Sequence, residues 1–149
     1  VRDVMNAASL LWRLEAAGPD AGAWRWDELA DIAERRSGDH AWAFADVHYV
    51  LCLAAAGRRD EMDAMLASIA ARVARETDSQ SRVHAEVGFS CARAVAEALG
   101  GKPEKAVLLL SAARYRISRL GGSRIQRDLL DRIRARAEKD AQHRTDIRM

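Results

Sequence analysis

The chain has 149 residues, 49% of them apolar, and its 24 Lys and Arg against 22 Asp and Glu leave a net charge of +2. This length suits one domain with a substantial core. Because basic residues alternate with acidic ones, we expect no nucleic-acid partner, which would require a basic stripe. Abundant Ala and Leu, with only two prolines, favour helices over strands.

Gly, Pro, Asp and Ser residues divide the sequence into about seven helical segments. Their predicted ranges are 4–17, 21–36, 40–56, 60–75, 80–99, 103–120 and 124–139. Asp39 is a good N-cap for the third segment, and Ser123 with Gln126 forms a capping box that opens the seventh. A polar break that includes Thr77 precedes the fifth segment. The apolar pattern fades after Lys139, so residues 140–149 are expected to form a loose tail.

Short breaks between the segments predict antiparallel helix pairs. The turn that contains Gly57 recurs about 43 residues later at Gly100, and acidic residues follow each turn. Such repetition is typical of alpha-solenoids, although these units exceed the ~34-residue period of tetratricopeptide repeats. The sequence therefore predicts an all-α fold in which antiparallel helix pairs stack as a tetratricopeptide-like alpha-solenoid, in one domain over residues 1–139. A closed, irregular helical bundle is the alternative.

Cys52 and Cys91 both lie in apolar helical runs, where free thiols behave as small hydrophobes. This use of cysteine predicts a reduced, cytoplasmic chain. No N-terminal segment is laid out like a signal peptide, and no apolar run approaches the ~20 residues of a membrane helix, so no membrane partner is expected. Since the sequence begins at Val1 and is helical in pattern from its first residues, we expect it to be part of a longer protein.

The third segment is apolar nearly all round, as is typical of a buried helix, yet it contains His40, Asp46 and His48. Asp46 and His48 project about 160° apart on a helix, so we expect each to meet a neighbouring helix. A buried carboxylate needs a charged partner. Arg116 falls beside the apolar stripe of the sixth segment, which predicts an ion pair between Asp46 and Arg116. Arg114 projects further round that segment.

A zinc site is the metal-binding alternative. His48 and Cys52 are four residues apart on one helical face, a spacing that can place two ligands on one ion. His84 and Cys91 are separated by about 10 Å of helical rise, so only one of them could add a third ligand. Because no CxxC or HExxH pattern occurs, buried thiols and hydrogen-bonded core histidines are preferred, and no metal or cofactor is predicted.

Three groups of residues together match a known pattern. The first is Arg114-Tyr115-Arg116-Ile117 with Leu120-Gly121-Gly122-Ser123 and Gln126-Arg127-Asp128. The second is Asp39-His40, Phe44, Asp46 and His48, and the third is Leu10-Leu11-Trp12-Arg13-Leu14 with Arg25-Trp26. These residues resemble the tetratricopeptide repeat protein 38 family, and the likeness covers residues 4–136. The resemblance implies the C-terminal part of a longer repeat protein and carries over no catalytic activity.

From these features we expect a helical-repeat scaffold that binds a protein or peptide on its concave surface. The candidate binding residues are His40, Asp46, His48, Arg114, Arg116 and Gln126. No catalytic residue is predicted. Three alternatives stay open: a small-ligand or peptide sensor whose pocket is completed by upstream repeats, an enzyme that uses His48, and a self-association module that forms homo-oligomers.

Overall fold

The computed structural model describes residues 1–75 and 78–148. The predicted all-helical fold is confirmed for these residues, which form seven α-helices and one short 3-10 helix. The α-helices are α1 (Arg2–Ala16), α2 (Ala23–Arg35), α3 (Ala43–Ala55), α4 (Arg59–Arg75), α5 (79–99), α6 (Pro103–Ala113) and α7 (Arg124–Arg148). The 3-10 helix Ile117–Leu120 lies between α6 and α7. Thr77, in the predicted polar break, lies outside the described residues.

Helix α3 lies at the centre of the core. Every residue from Ala43 to Leu53 is buried, because the helix packs against α1, α2, α4 and α5. Outside this centre, α6 packs on α5, α7 packs on α6, and α1 contacts α7. The first and last helices therefore meet on one side of the molecule. No helix of the described residues combines the length and hydrophobicity needed to cross a membrane.

Helix α5 is continuous but contains a π-turn. Ser79–Val83 and Phe89–Leu99 are α-helical, and His84–Gly88 between them is a π-helix in which the Phe89 N–H bonds to the His84 carbonyl. A π-turn holds one residue more than an α-turn. The side chains before and after it therefore project in directions that a regular helix of this sequence would not give.

Two predicted helix boundaries, the start of α3 and the end of α6, were wrong. Helix α3 begins at Ala43, with Trp42 rather than Asp39 at its N-cap position. His40 has a left-handed φ of 43°, which is incompatible with a helix that starts behind Asp39. The sixth segment was predicted to be helical over residues 103–120, but helix α6 ends at Ala113, and a turn separates it from the 3-10 helix Ile117–Leu120.

Helix α7 begins as predicted but ends later. The Ser123 N–H donates to Gln126 Oε1 at 2.9 Å, and the Gln126 N–H donates to Ser123 Oγ at 3.2 Å, so the capping box is confirmed. The loose tail predicted from residue 140 was wrong for residues 140–148, which are helical. Side-chain pairs four residues apart, Arg136 with Asp140 and Gln142 with Asp146, stabilise this exposed polar helix. Met149 lies outside the described residues.

Candidate functional site

Three polar side chains converge in the core between α3 and α5. His40 Nδ1 lies 2.8 Å from Asp46 Oδ2, and His84 Nε2 lies 2.9 Å from the same oxygen. The three residues are 4%, 1% and 0% exposed. The predicted ion pair between Asp46 and Arg116 is therefore wrong: histidines from the loop before α3 and from α5 lie against the buried carboxylate, and Arg116 is exposed.

The backbone brings these side chains together through two local features. The left-handed conformation of His40 lets its ring contact Asp46, which is six residues later. His84 opens the π-turn of α5, where Gly88 allows close packing. A Cβ atom at Gly88 would lie 2.9 Å from His84 Nδ1 and 3.1 Å from the Cβ atom of Ala43. Glycine is therefore required where α5 approaches α3.

The two histidines of the cluster differ in their hydrogen bonding. His40 donates from Nδ1 to Asp46, and its Nε2 lies 2.7 Å from Ser68 Oγ on α4. His84 Nε2 is within hydrogen-bond distance of Asp46 but out of line with it, so neither ring nitrogen of His84 has a hydrogen-bond partner among the described residues. An unsatisfied polar group in a dry core is costly, and such groups are rare in folded proteins.

The carboxyl group of Asp46 is held in its ionised form. Burial raises its pKa, but the interactions with His40 and His84 outweigh burial, so the pKa of Asp46 is lowered below its ordinary value. The cluster therefore joins an anionic oxygen to two imidazoles, a donor set that suits either proton sharing or metal coordination.

His48 is separate from this cluster, although it lies on the same helix. Its Nδ1 donates to the Phe44 carbonyl at 2.8 Å, and its ring packs on that of Phe44 with centroids 4.5 Å apart. Burial lowers the pKa of His48 to about 4, so this side chain is a neutral core residue at neutral pH. The hydrogen bond of His48 is made within α3 rather than to a neighbouring helix.

The two cysteines are buried free thiols, as predicted. Burial raises the pKa of Cys52 and of Cys91 to about 12, so neither forms a reactive thiolate at neutral pH. Of the four residues considered as zinc ligands from the sequence, His48, Cys52 and Cys91 do not join the polar cluster, whereas His84 joins it with His40 and Asp46.

The polar residues after α6 hold the corner between α6 and α7 in place. Arg127 donates to the carbonyls of Gly121 and Gly122, and the Trp42 indole N–H donates to the Leu120 carbonyl at 3.0 Å. Gln126, besides capping α7, donates from Nε2 to Asn6 of α1 at 3.2 Å. This part of the sequence pattern is therefore explained by packing of the corner on α1 and α3.

Arg114 and Arg116 lie on the exposed side of the same corner. The Arg114 guanidinium stacks over the Tyr115 ring at 4.3 Å from its centroid, and Tyr115 is 80% exposed. These residues are accessible to a partner, but they do not line any of the larger cavities of the described chain.

An open groove between α1 and α7 has a volume of about 650 Å³. It is lined by Trp12, Arg13, Ala16, Ala17, Arg132, Ala135, Arg136, Lys139, Asp140 and His143. A second cavity of about 220 Å³ shares four of these residues and reaches Leu99 at the end of α5. We call these joined cavities the α1–α7 groove.

The sequence contains a row of basic residues that lines this groove, although the net charge of the whole chain is close to zero. Arg132, Arg136, Lys139 and His143 follow one another at intervals of four, three and four residues, which places them on one face of a helix. None of the six candidate binding residues lines the groove.

Neither a protein-family model nor a solved structure matches this chain. Its function is therefore inferred from the side chains that its own fold brings together.

Proposed function

We propose that the chain is a tetratricopeptide-like helical-repeat module that binds an acidic segment of a partner protein in the α1–α7 groove. The observation that supports this best is the lining of the groove, where Trp12 and three alanines supply apolar surface beside four cationic side chains and one carboxylate. Consecutive helices pack as neighbours, as in helical-repeat proteins, and the contact of α1 with α7 forms the groove between the first and last helices.

The dimensions of the groove suit a peptide. Its main cavity of about 650 Å³ falls within the range of about 300–1,000 Å³ that is usual for ligand sites. The indole of Trp12 gives an apolar side chain a surface to pack on, and aromatic residues often provide the main energy of such contacts. The partner segment is thus expected to carry at least one apolar residue among its acidic ones.

Charge complementarity determines the acidic character of the partner. Guanidinium groups bind carboxylates through paired hydrogen bonds, and the groove offers Arg13, Arg132 and Arg136. Arg132 is paired with Asp128 at 2.5 Å and Arg136 with Asp140 at 3.2 Å. Because exposed ion pairs contribute only about 0–1 kcal/mol, carboxylates of a partner can replace these internal ones at little cost.

The alternative of a small-ligand sensor has less support. A cavity does reach His40, but its volume is about 190 Å³, and it is lined by Gly38, Ser68, Arg72 and Arg75 rather than by His48. An enzyme that uses His48 is also disfavoured, because His48 is 2% exposed and packed against Phe44. The α1–α7 groove is the larger and more accessible site.

The test is a selection of peptides from a random library displayed on phage, followed by fluorescence anisotropy with the selected sequences. We expect acidic peptides that contain an aromatic or aliphatic residue. The double variant Arg132→Glu/Arg136→Glu should weaken their binding by about tenfold or more, which corresponds to about 1.4 kcal/mol. Binding should also weaken as salt is added, because the groove is exposed.

Arg124→Glu is the matched control, since Arg124 is an exposed arginine at the start of α7 that does not line the groove. It should leave the affinity unchanged. Selection of neutral or basic peptides, or equal loss of binding in the control and in the double variant, would contradict the proposal.

A further inference from the structure

We propose that His40, Asp46 and His84 form a binding site for a divalent transition-metal ion, with Zn²⁺ the ion that the ligands suit best. One ligand atom from each residue lies within 4.8 Å of the other two. Two imidazole nitrogens and a carboxylate oxygen form a recurrent ligand set for zinc. The inference goes beyond the peptide groove, and it replaces the sequence-based expectation that the chain has no metal site.

The spacing of the ligand atoms agrees with coordination. Zinc bonds to nitrogen and oxygen are about 2.0–2.2 Å long, so two ligands at usual bond angles lie about 3.0–3.5 Å apart. His40 Nδ1 and His84 Nε2 lie 2.8 and 2.9 Å from Asp46 Oδ2. Both pairs that include Asp46 are slightly closer than this spacing, and the two histidine nitrogens lie within 4.8 Å of each other, so the side chains need to shift to surround one ion.

The hydrogen bonding of His84 distinguishes a metal site from a purely structural cluster. Its side chain is fully buried, and its Nε2 faces Asp46 without hydrogen-bond alignment, so both ring nitrogens lack partners among the described residues. A metal ion beside Nε2 would satisfy that nitrogen through its lone pair. The Asp46 oxygen accepts the aligned hydrogen bond from His40, whereas its contact with His84 Nε2 is close but not aligned.

His40 has the second interaction that metal-binding histidines usually have. With Nδ1 directed to the ion, Nε2 carries the proton and donates to Ser68 Oγ at 2.7 Å. Such a bond fixes the tautomer and the orientation of the ring. Ser68 lies on α4, so the site would join the loop before α3, the helices α3 and α5, and, through this hydrogen bond, α4.

His40 lies between the cluster and a cavity that is open to solvent. His40 lines the cavity of about 190 Å³ that opens beside Gly38 and Ser68. Arg72, which also lines this cavity, is paired with Asp78 at 2.5 Å. Three protein ligands leave a fourth tetrahedral position for water.

The test is metal binding by the complete chain after removal of metals with a chelator. With Zn²⁺ in about tenfold excess followed by desalting, we expect about one ion per chain and a raised Tm. Co²⁺ in its place should give the visible absorption bands of a tetrahedral site. Failure of the wild-type chain to retain Zn²⁺, together with an unchanged Tm, would overturn the proposal.

Variants assign the ion to these residues. His84→Gln and Asp46→Asn should lose the bound Zn²⁺ and the rise in Tm. His48→Gln, which alters a buried histidine outside the cluster, and His143→Gln, which removes an exposed one, should retain both. If His84→Gln retains the ion, or if His143→Gln loses it, the site is elsewhere. If a cluster variant does not fold, the wild-type chain still tests the proposal, because a raised Tm with Zn²⁺ and tetrahedral Co²⁺ bands support it and their absence contradicts it.

Discussion

Asp46 of α3 and His84 of α5 meet in the core, with Asp46 Oδ2 2.9 Å from His84 Nε2. Neither side chain is more than 1% exposed. The contact connects the central helix α3 to the π-turn of α5. His40, in the loop before α3, contacts the same oxygen of Asp46. The stability of the chain should therefore depend on this cluster more than on any exposed ion pair.

Replacement of Asp46 by Asn should destabilise the chain by about 3 kcal/mol at pH 7, because a buried partner of two histidines is lost. Urea unfolding followed by circular dichroism measures this change. Asp39→Asn is the control, since Asp39 is exposed and has only a long contact of 3.8 Å with Arg36. Equal stability of the Asp46 variant and the wild type would show that the cluster contributes little.

Asp46 also determines part of the response to acid. Its pKa is lowered in the folded chain, so its contribution to stability is present above its unfolded pKa of about 4 and is lost as the pH falls through the lower folded value. The free energy of unfolding, measured between pH 5 and pH 2, should therefore fall less in Asp46→Asn than in the wild type. Parallel curves would contradict this assignment.

His48 should affect the free energy of unfolding at a higher pH than Asp46 does. Because burial lowers its folded pKa to about 4 from 6.5, the unfolded chain binds a proton that the folded chain does not between those values. Stability should thus fall as the pH drops from about 6.5 to 4, with a total contribution on the order of 3 kcal/mol. His48→Gln should flatten that part of the pH curve. An equally steep curve in this variant would assign the dependence to another group.

Gly88→Ala should destabilise the chain by about 1–3 kcal/mol, although alanine favours helices by about 1 kcal/mol. The reason is the 2.9 Å contact that a Cβ atom would make with His84 Nδ1. Gly38→Ala is the matched control, since a Cβ atom there meets nothing within 4 Å. Thermal unfolding compares the two variants, and a Gly88 variant as stable as the Gly38 variant would show that the His84 ring can move away from an added Cβ atom at little cost.

The two arginines of the corner pattern should differ in their effect on stability. Arg127→Ala removes donors to the carbonyls of Gly121 and Gly122 and should cost about 1–2 kcal/mol. Arg116→Ala should change the free energy of unfolding by less than about 0.5 kcal/mol, because Arg116 is exposed. Urea unfolding of both variants tests this order, and a larger loss for Arg116 would reverse it.

The sequence predicted the start of α7 correctly, whereas the N-cap predicted at Asp39 was wrong because His40 has a left-handed φ. The capping box of Ser123 and Gln126 needs only three residues and was confirmed. The partner of Asp46 was mispredicted, because a helical wheel gives a direction but not the helix that lies there. His84 could not be assigned to Asp46 because the π-turn changes the direction of side chains along α5, and no short pattern in the sequence marks it.

The groove was missed for a different reason. Its basic stripe, from Arg132 to His143, was visible in the spacing, but the near balance of 24 basic and 22 acidic residues over the whole chain concealed it. The predicted binding residues Arg114 and Arg116 lie outside the groove. Which helix faces line a groove depends on the contact of α1 with α7, a pairing between the first and last helices that local patterns do not predict.

The most direct test of the groove is a nitrogen–proton correlation NMR spectrum of the labelled chain, recorded with and without a selected acidic peptide. The proposal predicts that the Trp12 indole signal and the backbone signals of Ala135 and Lys139 shift with peptide concentration, while those of Arg114 and Tyr115 stay in place. Shifts confined to Arg114, Tyr115 and Arg116, with the Trp12 signal unchanged, would contradict it and place the peptide on the exposed corner.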